Sequence, residues 1–417
     1  MGAWYRMRRA SRLLFWAVLA WVLPAAAAAG VTSSRATLRE IGDPRSVGMD
    51  PAALKRIDRL IGAAIAAQVT PGAALAIGRK GQAVRLRGYG RTEYGRGGVR
   101  VTEHTLYDLA SLTKSVGTTS AVMLLVQDGR LDLDRPLADY FEEWRSAVDR
   151  SAMTARHLLN HTSGLPPGGP LQGVGSERGR IPAFMARIEL LAPPGRKHEY
   201  SDYGMILLGA LVERIAGERL DVFLDRNLWL PAGLSETGFV PLRWREQDSG
   251  FRLTVSRRAM LARIAPTERT RQRGVIRGEV HDPLAYRLEG VAGNAGLFSS
   301  AHDLALFAEL LLAGGRVDTI QIFQPEVVGS FVTRPSERAR FALGWELARD
   351  GGPTGQLFPA TAFGHTGFTG TSIWIDPEHE LYVVLLTNRV NPNASEQRHA
   401  RLRRDIHDAV QRALLPT

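Results

Sequence analysis

Apolar residues form strand-like runs near both ends of the chain. The segments GAALAIGR (72–79) and QAVRLRGYG (82–90) are joined by a short Lys-Gly turn, a pattern that predicts a β-hairpin. Much later, TSIWIDPEHELYVVLLTNR (371–389) contains two apolar runs on either side of an Asp-Pro-Glu turn, which predicts a second pair of strands. Sheet-forming sequence is therefore concentrated at the two ends.

Three other segments place apolar residues at helical spacing. They are PAALKRIDRLIGAAIAAQ (51–68), MILLGALVERIAG (205–217), which ends at a glycine, and EQRHARLRRDIHDAVQRALL (396–415). A buried helix is also expected after residue 111, ending near Gly129. Helices and loops are expected to dominate residues from about 130 to 290.

Together these elements predict an α+β fold. We expect an antiparallel sheet built from both ends of the chain and flanked by helices, with a mostly helical lobe inserted and a cleft at the boundary. The sheet lobe is placed at about 45–108 and 290–415, and the helical lobe at about 109–289.

The N-terminus has the pattern of a secretory signal peptide. A basic stretch, RMRRASR, precedes the apolar run LLFWAVLAWVL (13–23), a proline and the small residues AAAAAG. We therefore predict a signal peptide over 1–29, a mature domain over 38–417, and a periplasmic or secreted location. The alternative is an uncleaved membrane anchor, because residues 13–29 are barely long enough to span a bilayer.

Composition narrows the function classes. The chain has no cysteine, which excludes disulfides and thiolate metal sites. Its formal net charge is +11, yet there is no basic helix, basic–aromatic ladder or finger motif, so nucleic acid is not an expected partner. A basic exported protein is expected to be drawn weakly to anionic cell-wall polymers or lipid headgroups, which would allow peripheral association.

A rare lysine points to the chemistry. Only four of the 53 basic residues are lysines, and Lys114 follows Ser111 by three positions. If Ser111 begins a helix, the two side chains share one face, and the helix N-terminus offers free N–H groups for an oxyanion. A lysine at this distance can act as a base toward the hydroxyl. The alternative is a capping serine followed by a surface lysine.

Two further motifs favour the catalytic interpretation of Ser111 and Lys114 over the capping one. HEYSDYGMILLG (198–209) places Tyr200 two residues before Asp202, and AFGHTGFTGTSIWIDP (362–377) places His365, Thr366 and Gly367 at the edge of a strand. The ordered set resembles the serine β-lactamase and penicillin-binding-protein superfamily, and most closely its class C-like branch, which includes D,D-peptidases and esterases. HLLNHTSGLP (157–166) and GVAGNAGLFSSAHDLALFAELLLAGG (290–315) resemble the same branch, so the resemblance covers about residues 45–412.

The resemblance implies a role for each residue. Ser111 is the acylated nucleophile, and Lys114 and Tyr200 share the proton transfers. The N–H groups of Ser111 and Phe368 form the oxyanion hole, and the strand carrying 365–369 lines the substrate. The remaining implied substrate-binding positions are Asp202, His365, Thr366 and Gly367.

Two positions depart from the family pattern. Asp202 stands where the family usually has asparagine, and a carboxylate near Lys114 favours the charged lysine. Either Tyr200 then carries more of the base work or Asp202 points away. His365 replaces the usual lysine and is mostly neutral at pH 7, which weakens the case for β-lactams. Arg389 either supplies the missing charge or is a surface residue.

A metal centre is not expected. His157 and His161 are four residues apart, but the zincin pattern needs a glutamate after the first histidine, and Leu158 stands there. The sequence therefore predicts an exported serine hydrolase without metal or cofactor, acting on an ester or an amide, including a cell-wall D-Ala-D-Ala peptide, with weak β-lactamase activity at most. The alternative is a penicillin or peptidoglycan sensor that is acylated without turnover.

Overall fold

The computed structural model describes residues 38–175, 177–240, 257–391 and 394–416. The predicted signal peptide, residues 1–29, lies outside these ranges. From Leu38 onward the chain forms one compact unit. Within the described ranges, no helix combines the length and apolar character that a membrane span requires.

Within the described ranges, the strands belong to one large sheet and three small ones. Their bounds are β1 Gly72–Arg79, β2 Gln82–Gly90, β3 Tyr107–Asp108, β4 Gly238–Phe239, β5 Glu268–Thr270, β6 Gly274–Ile276, β7 Leu297–Ser299, β8 Arg316–Val317, β9 Ile320–Gln321, β10 Glu346–Leu347, β11 Phe363–Thr366, β12 Ser372–Asp376 and β13 Leu381–Thr387.

The large sheet is antiparallel and joins the two ends of the chain. Its order is β10-β11-β12-β13-β1-β2, so the N-terminal hairpin lies beside the last strand, with Leu75 opposite Leu385. The hairpin turns at Lys80 and Gly81, whose positive φ values of 51° and 71° suit a tight two-residue turn. This topology confirms the predicted α+β fold with a sheet built from both ends.

The described residues also form α-helices, some of which pack on the two faces of this sheet. Their bounds are α1 Pro51–Ala66, α2 Ser120–Gln127, α3 Ala155–Leu159, α4 Ile181–Met185, α5 Asp202–Ala216, α6 Leu220–Leu224, α7 Arg257–Arg263, α8 Pro283–Arg287, α9 Ala301–Leu312, α10 Pro325–Val332 and α11 Glu396–Gln411. On one face α1 and α11 pack together, and their Leu54 and Ile406 share a core with Leu75. On the other face α9 packs on β1 and β13.

A second, smaller sheet holds the segment that leads to Ser111. Its order is β3-β7-β4, and all its pairs are antiparallel. The region predicted as a helical lobe, about 109–289, contains most of the short helices and also β4 and the β5–β6 pair. The division into two lobes at these boundaries stays a prediction.

Candidate active site

Ser111 follows a short strand and a strained turn. Ala110 has a φ of 47°, a left-handed conformation that costs a non-glycine residue energy. The turn is held by the buried Asp108, whose carboxylate accepts the N–H of Ala110 at 2.8 Å and that of His281 at 2.7 Å. Leu109 donates its N–H to Leu297 of β7 at 2.9 Å. The small sheet therefore fixes where Ser111 emerges.

The chain after Ser111 coils more widely than an α-helix. Residues Thr113–Thr119 form a π-helical segment that continues into α2. The backbone N–H of Lys114 still donates to the Ser111 carbonyl at 3.0 Å, so the spacing of three residues brings the two side chains together. The Lys114 Nζ lies 3.0 Å from the Ser111 Oγ.

Lys114 is buried, and three oxygen atoms lie close to its ammonium group. Besides the Ser111 hydroxyl, its Nζ lies 3.0 Å from the Asn294 carbonyl and 2.7 Å from Asp202 Oδ1. Burial alone would lower the pKa of Lys114, but the charge of Asp202 and the Tyr200 phenol outweigh it, so the pKa is raised above its ordinary value. Lys114 at rest is therefore an ammonium ion, and Asp202 does not point away from it.

Tyr200 completes the group around the serine. Its ring centroid lies 5.0 Å from Lys114 Nζ, and its hydroxyl interacts with both Ser111 and Lys114. Burial raises the pKa of the Tyr200 phenol, and the Lys114 charge opposes that rise. Asp202 is the first residue of α5, where Ser201 caps the helix by accepting the N–H of Gly204 at 3.0 Å.

His161 supports the Tyr200 segment and lies beyond the end of the helix that carries His157. Its ring lies 4.5 Å from the Tyr200 ring, and its Nδ1 accepts the Ser201 N–H at 3.2 Å. Burial lowers the pKa of His161 well below its ordinary value, so the ring is neutral and can accept this bond. The helix α3 ends at Leu159, and His161 lies beyond it with a φ of 58°.

Strand β11 forms the opposite wall, and part of its outer edge is uncovered. β10 pairs only with Phe363 and Gly364, so among the described residues no strand covers the outer edge at His365 and Thr366. His365 is buried beside Tyr200, with ring centroids 6.1 Å apart, and its Nδ1 donates to the Thr366 carbonyl at 2.8 Å. Burial lowers the pKa of His365 to about 4, so the ring is neutral at pH 7.

The turn after β11 is fastened to the segment that precedes Ser111. The hydroxyl of Thr369 donates to the Asp108 carbonyl at 2.7 Å, and that of Thr371 donates to the Leu109 carbonyl at 3.0 Å. Glycine is required at position 367, where the turn passes close to Leu109, because an added Cβ would lie 2.4 Å from the Leu109 carbonyl oxygen.

Two backbone N–H groups next to these hydrogen bonds remain available to bind a substrate oxygen. In the part of the chain that the structure describes, neither the Ser111 N–H nor the Phe368 N–H has an acceptor. Free N–H groups of this kind can hold an oxyanion. The Phe368 ring is 55% exposed, stacks on His281 at 5.6 Å and lies under the Arg389 guanidinium at 4.8 Å. Arg389 is itself buried, so the alternative that it is a surface residue is wrong.

Sequence reasoning missed the residues that support this site. Asn294, whose carbonyl holds Lys114, lies in the quoted GVAGNAGLF stretch but received no role. The available signal was the flanking glycine Gly293, where a Cβ would meet the Met205 carbonyl oxygen of α5 at 2.0 Å. His161, Thr369 and similar buried polar residues act on backbone groups, and a single sequence does not reveal those partners.

Comparisons with known proteins agree with the geometry. A sequence model described as Beta-lactamase matches residues 57–408. A protein of Escherichia coli O157:H7 named "Putative D-alanyl-D-alanine carboxypeptidase" is 32% identical over 410 residues, covering 90% of this chain and 91% of that protein. An N-acetylmuramyl-L-alanine amidase of Bacillus subtilis strain 168 is 32% identical over 364 residues, covering 81% of each chain. Among solved structures, EstCE1, a hydrolase with promiscuous acyltransferase activity, superposes with a TM-score of 0.68 at 22% identity, covering 86% of this chain and 98% of that one.

Proposed function

The chain belongs to the beta-lactamase family and is thus a hydrolase of the serine β-lactamase and penicillin-binding-protein superfamily, and from that premise we propose that it cleaves an ester or amide through an acyl-enzyme at Ser111. The favoured substrate is a cell-wall peptide ending in D-Ala-D-Ala. The observation that supports this most is the contact of 3.0 Å between the Ser111 hydroxyl and a fully buried Lys114.

The proposed reaction has two halves. The Ser111 Oγ attacks the acyl carbon, and its proton passes to the Lys114–Tyr200 pair. The carbonyl oxygen becomes an oxyanion between the Ser111 and Phe368 N–H groups. When the tetrahedral intermediate collapses, the leaving amine or alcohol takes the proton from the pair, and water then releases the acyl group by the same steps.

The resting protonation states set the requirement for this cycle. Lys114 rests as an ammonium and Tyr200 as a neutral phenol, so the pair must first lose one proton to act as a base. The lysine charge stabilises the Tyr200 phenolate, which makes Tyr200 the better candidate for taking the serine proton. Asp202 holds the lysine charge in place, 2.7 Å away.

The walls of the site and the names of the relatives support this choice of substrate class. The open edge of β11 can pair with an extended peptide. A neutral His365 provides no fixed cation where the family usually has lysine, which disfavours substrates that depend on a charge there, including β-lactams. Both curated relatives are named for enzymes that cut bonds of peptidoglycan.

Export fits the same substrate. We propose that the N-terminal segment 1–29 directs the protein to the periplasm or the outside of the cell, where peptidoglycan stem peptides are available. The excess of basic residues then favours weak peripheral association with wall polymers or lipid headgroups. Intact mass and N-terminal sequence of the protein recovered from its native host decide between cleavage and retention as an anchor.

One experiment tests the central proposal. The purified protein is incubated separately with a D-Ala-D-Ala peptide, a short-chain p-nitrophenyl ester and a penicillin, while product and intact protein mass are followed. We expect turnover of the peptide or the ester, little with penicillin, and complete loss in Ser111→Ala. The absence of both product and adduct with all three compounds would refute the mechanism for these substrates.

A second candidate function is a sensor that is acylated without turnover. The observation that favours it is the Lys114–Asp202 ion pair, which keeps the lysine protonated and so slows the attack of water on an acyl-enzyme. In the same assay, a stable mass adduct on Ser111 with no product supports the sensor, and multiple turnovers per molecule exclude it.

A further inference from the structure

A second group of chemically active side chains lies at the opposite end of the small sheet from Ser111. His104 precedes β3, Glu236 precedes β4, and His302 follows β7. Because β7 is antiparallel to both neighbours, these three positions meet at one end of the sheet, and the Ser111 segment leaves from the other. Their potential ligand atoms all lie within 4.8 Å of one another.

We propose that His104, Glu236 and His302 form a binding site for a divalent transition-metal ion of the zinc type. Two imidazoles and one carboxylate are a donor set that such ions bind with three protein ligands and an open position. Ligand atoms about 2.0–2.2 Å from one ion lie at most about 4.4 Å apart, so a small side-chain rotation closes the set.

His302 shows the arrangement that a metal-binding histidine needs. Its Nδ1 lies 3.4 Å from the carboxylate of the buried Asp303, while its Nε2 is buried and has no hydrogen-bond partner among the described residues. The other oxygen of Asp303 is fixed by the Glu236 N–H at 2.6 Å and the Thr237 hydroxyl at 3.0 Å. A carboxylate behind one ring nitrogen orients the ring and makes the other nitrogen a better ligand.

Glu236 supplies the carboxylate of the set, and its two oxygens have different partners. Its Oε2 faces the Nδ1 of His104 at 3.0 Å and accepts from Ser300 at 2.6 Å, whereas Oε1 pairs with Arg263. The ion would therefore bind Oε2 of Glu236 and leave the ion pair between Oε1 and Arg263 in place.

Two positive groups compete with the ion. Arg263 competes for the Glu236 carboxylate, and a proton competes for the ring nitrogen of His104. The Arg263 guanidinium also donates to the His104 carbonyl at 2.7 Å, so it keeps a partner when the ion draws on the carboxylate. A bound ion would join the starts of β3 and β4 to the end of β7, the sheet that carries the Ser111 segment. We therefore expect it to stabilise the fold.

Metal binding by the full chain tests the proposal. After dialysis against a chelator and then against buffer, Zn²⁺ is titrated by calorimetry and the bound metal is measured by elemental analysis. We expect one ion per chain and a rise in the melting temperature, which requires binding to the folded state. His302→Ala and His104→Ala should each weaken binding by about tenfold or more and remove the rise.

The matched control is His379→Ala, which removes a histidine that pairs with the buried Asp376 elsewhere in the fold. It should bind Zn²⁺ like the unmodified chain. Arg263→Met, which removes the competing cation, should strengthen binding. The proposal is overturned if the unmodified chain binds no Zn²⁺ below millimolar concentration, or if His302→Ala and His104→Ala, with normal circular dichroism, bind as tightly as the control.

Discussion

Replacing Asp202 by asparagine tests how the Lys114 charge controls the reaction. At 2.7 Å, two unit charges in an effective dielectric constant of about 20 attract each other by about 6 kcal/mol. The Asp202 side chain is 29% exposed, so solvent screens part of this attraction, and the burial of Lys114 opposes the rest. Asparagine keeps the shape and removes the charge.

The direction of the shift in the pH profile follows from the protonation state that is active. The Lys114–Tyr200 pair must lose one proton before it can accept the proton of Ser111. Asp202 raises the pKa of Lys114, so its removal lowers that pKa and increases the deprotonated fraction at any given pH. We expect the acidic limb of kcat/KM to move down by about 1–3 pH units, or about 1.4–4 kcal/mol.

The assay is kcat/KM for the best ester or peptide substrate from pH 5 to pH 10, in the unmodified chain and in Asp202→Asn. At pH 7 the variant should be about tenfold or more faster, because its active fraction is larger. The matched control is Asp58→Asn. Asp58 lies on α1, away from the site; its side chain is 24% exposed and pairs with the buried Arg85 at a distance of 3.2 Å. That control should leave the pH profile unchanged, and an unshifted limb in a folded Asp202→Asn protein would refute the coupling of Lys114 to Asp202.

Three further predictions follow from the same structure. The ratio of kcat/KM for carboxylate-bearing over neutral substrates should be flat from pH 6 to pH 9 and rise only below about pH 5, because the pKa of His365 is about 4; a rise centred near pH 6.5 would show a solvated histidine instead. Gly367→Ala should reduce kcat/KM by about a hundredfold, because its Cβ would push the Phe368 turn away from Leu109, whereas Gly62→Ala, with open space around it in α1, should leave activity intact and raise stability by about 0.5–1 kcal/mol. Burial raises the pKa of Glu309 to about 7, so the folded state keeps a proton that the unfolded state releases from about pH 4.5, and stability should fall as pH rises between these values. Allowing for its partial exposure, we expect a loss of about 2 kcal/mol in urea unfolding between pH 5 and pH 7.5, and Glu309→Gln should lack it.

Much of the sheet could be predicted because its strands have unambiguous local signals. The strands at 72–79 and 82–90 have the expected bounds, since apolar runs flank a turn that suits positive φ. The helix around Ser111 was harder to predict. A run of buried residues shows only that the segment is interior, and local sequence does not distinguish an α-helix from the wider coil found at Thr113–Thr119.

The candidate active site was also predictable only in part from the sequence. The spacing of Ser111 and Lys114 and the Tyr200 and His365 motifs named the side chains, and the structure brings them together. Sequence did not show that Asp202 contacts Lys114, that burial keeps His365 neutral, or that Arg389 is covered by its neighbours. Each of these depends on groups that are far away in the chain.

The sequence by itself determined the class of fold and the family and named the candidate reactive side chains, because these depend on local periodicity and on short motifs. Tertiary structure alone decided their state. Lys114 is an ammonium because Asp202 and Asn294, 88 and 180 residues further along, place oxygen atoms beside its nitrogen. The same folding gathers His104, Glu236 and His302, which no motif links. Charge and burial act through space, so the chemistry of this serine depends on contacts that only the folded chain creates.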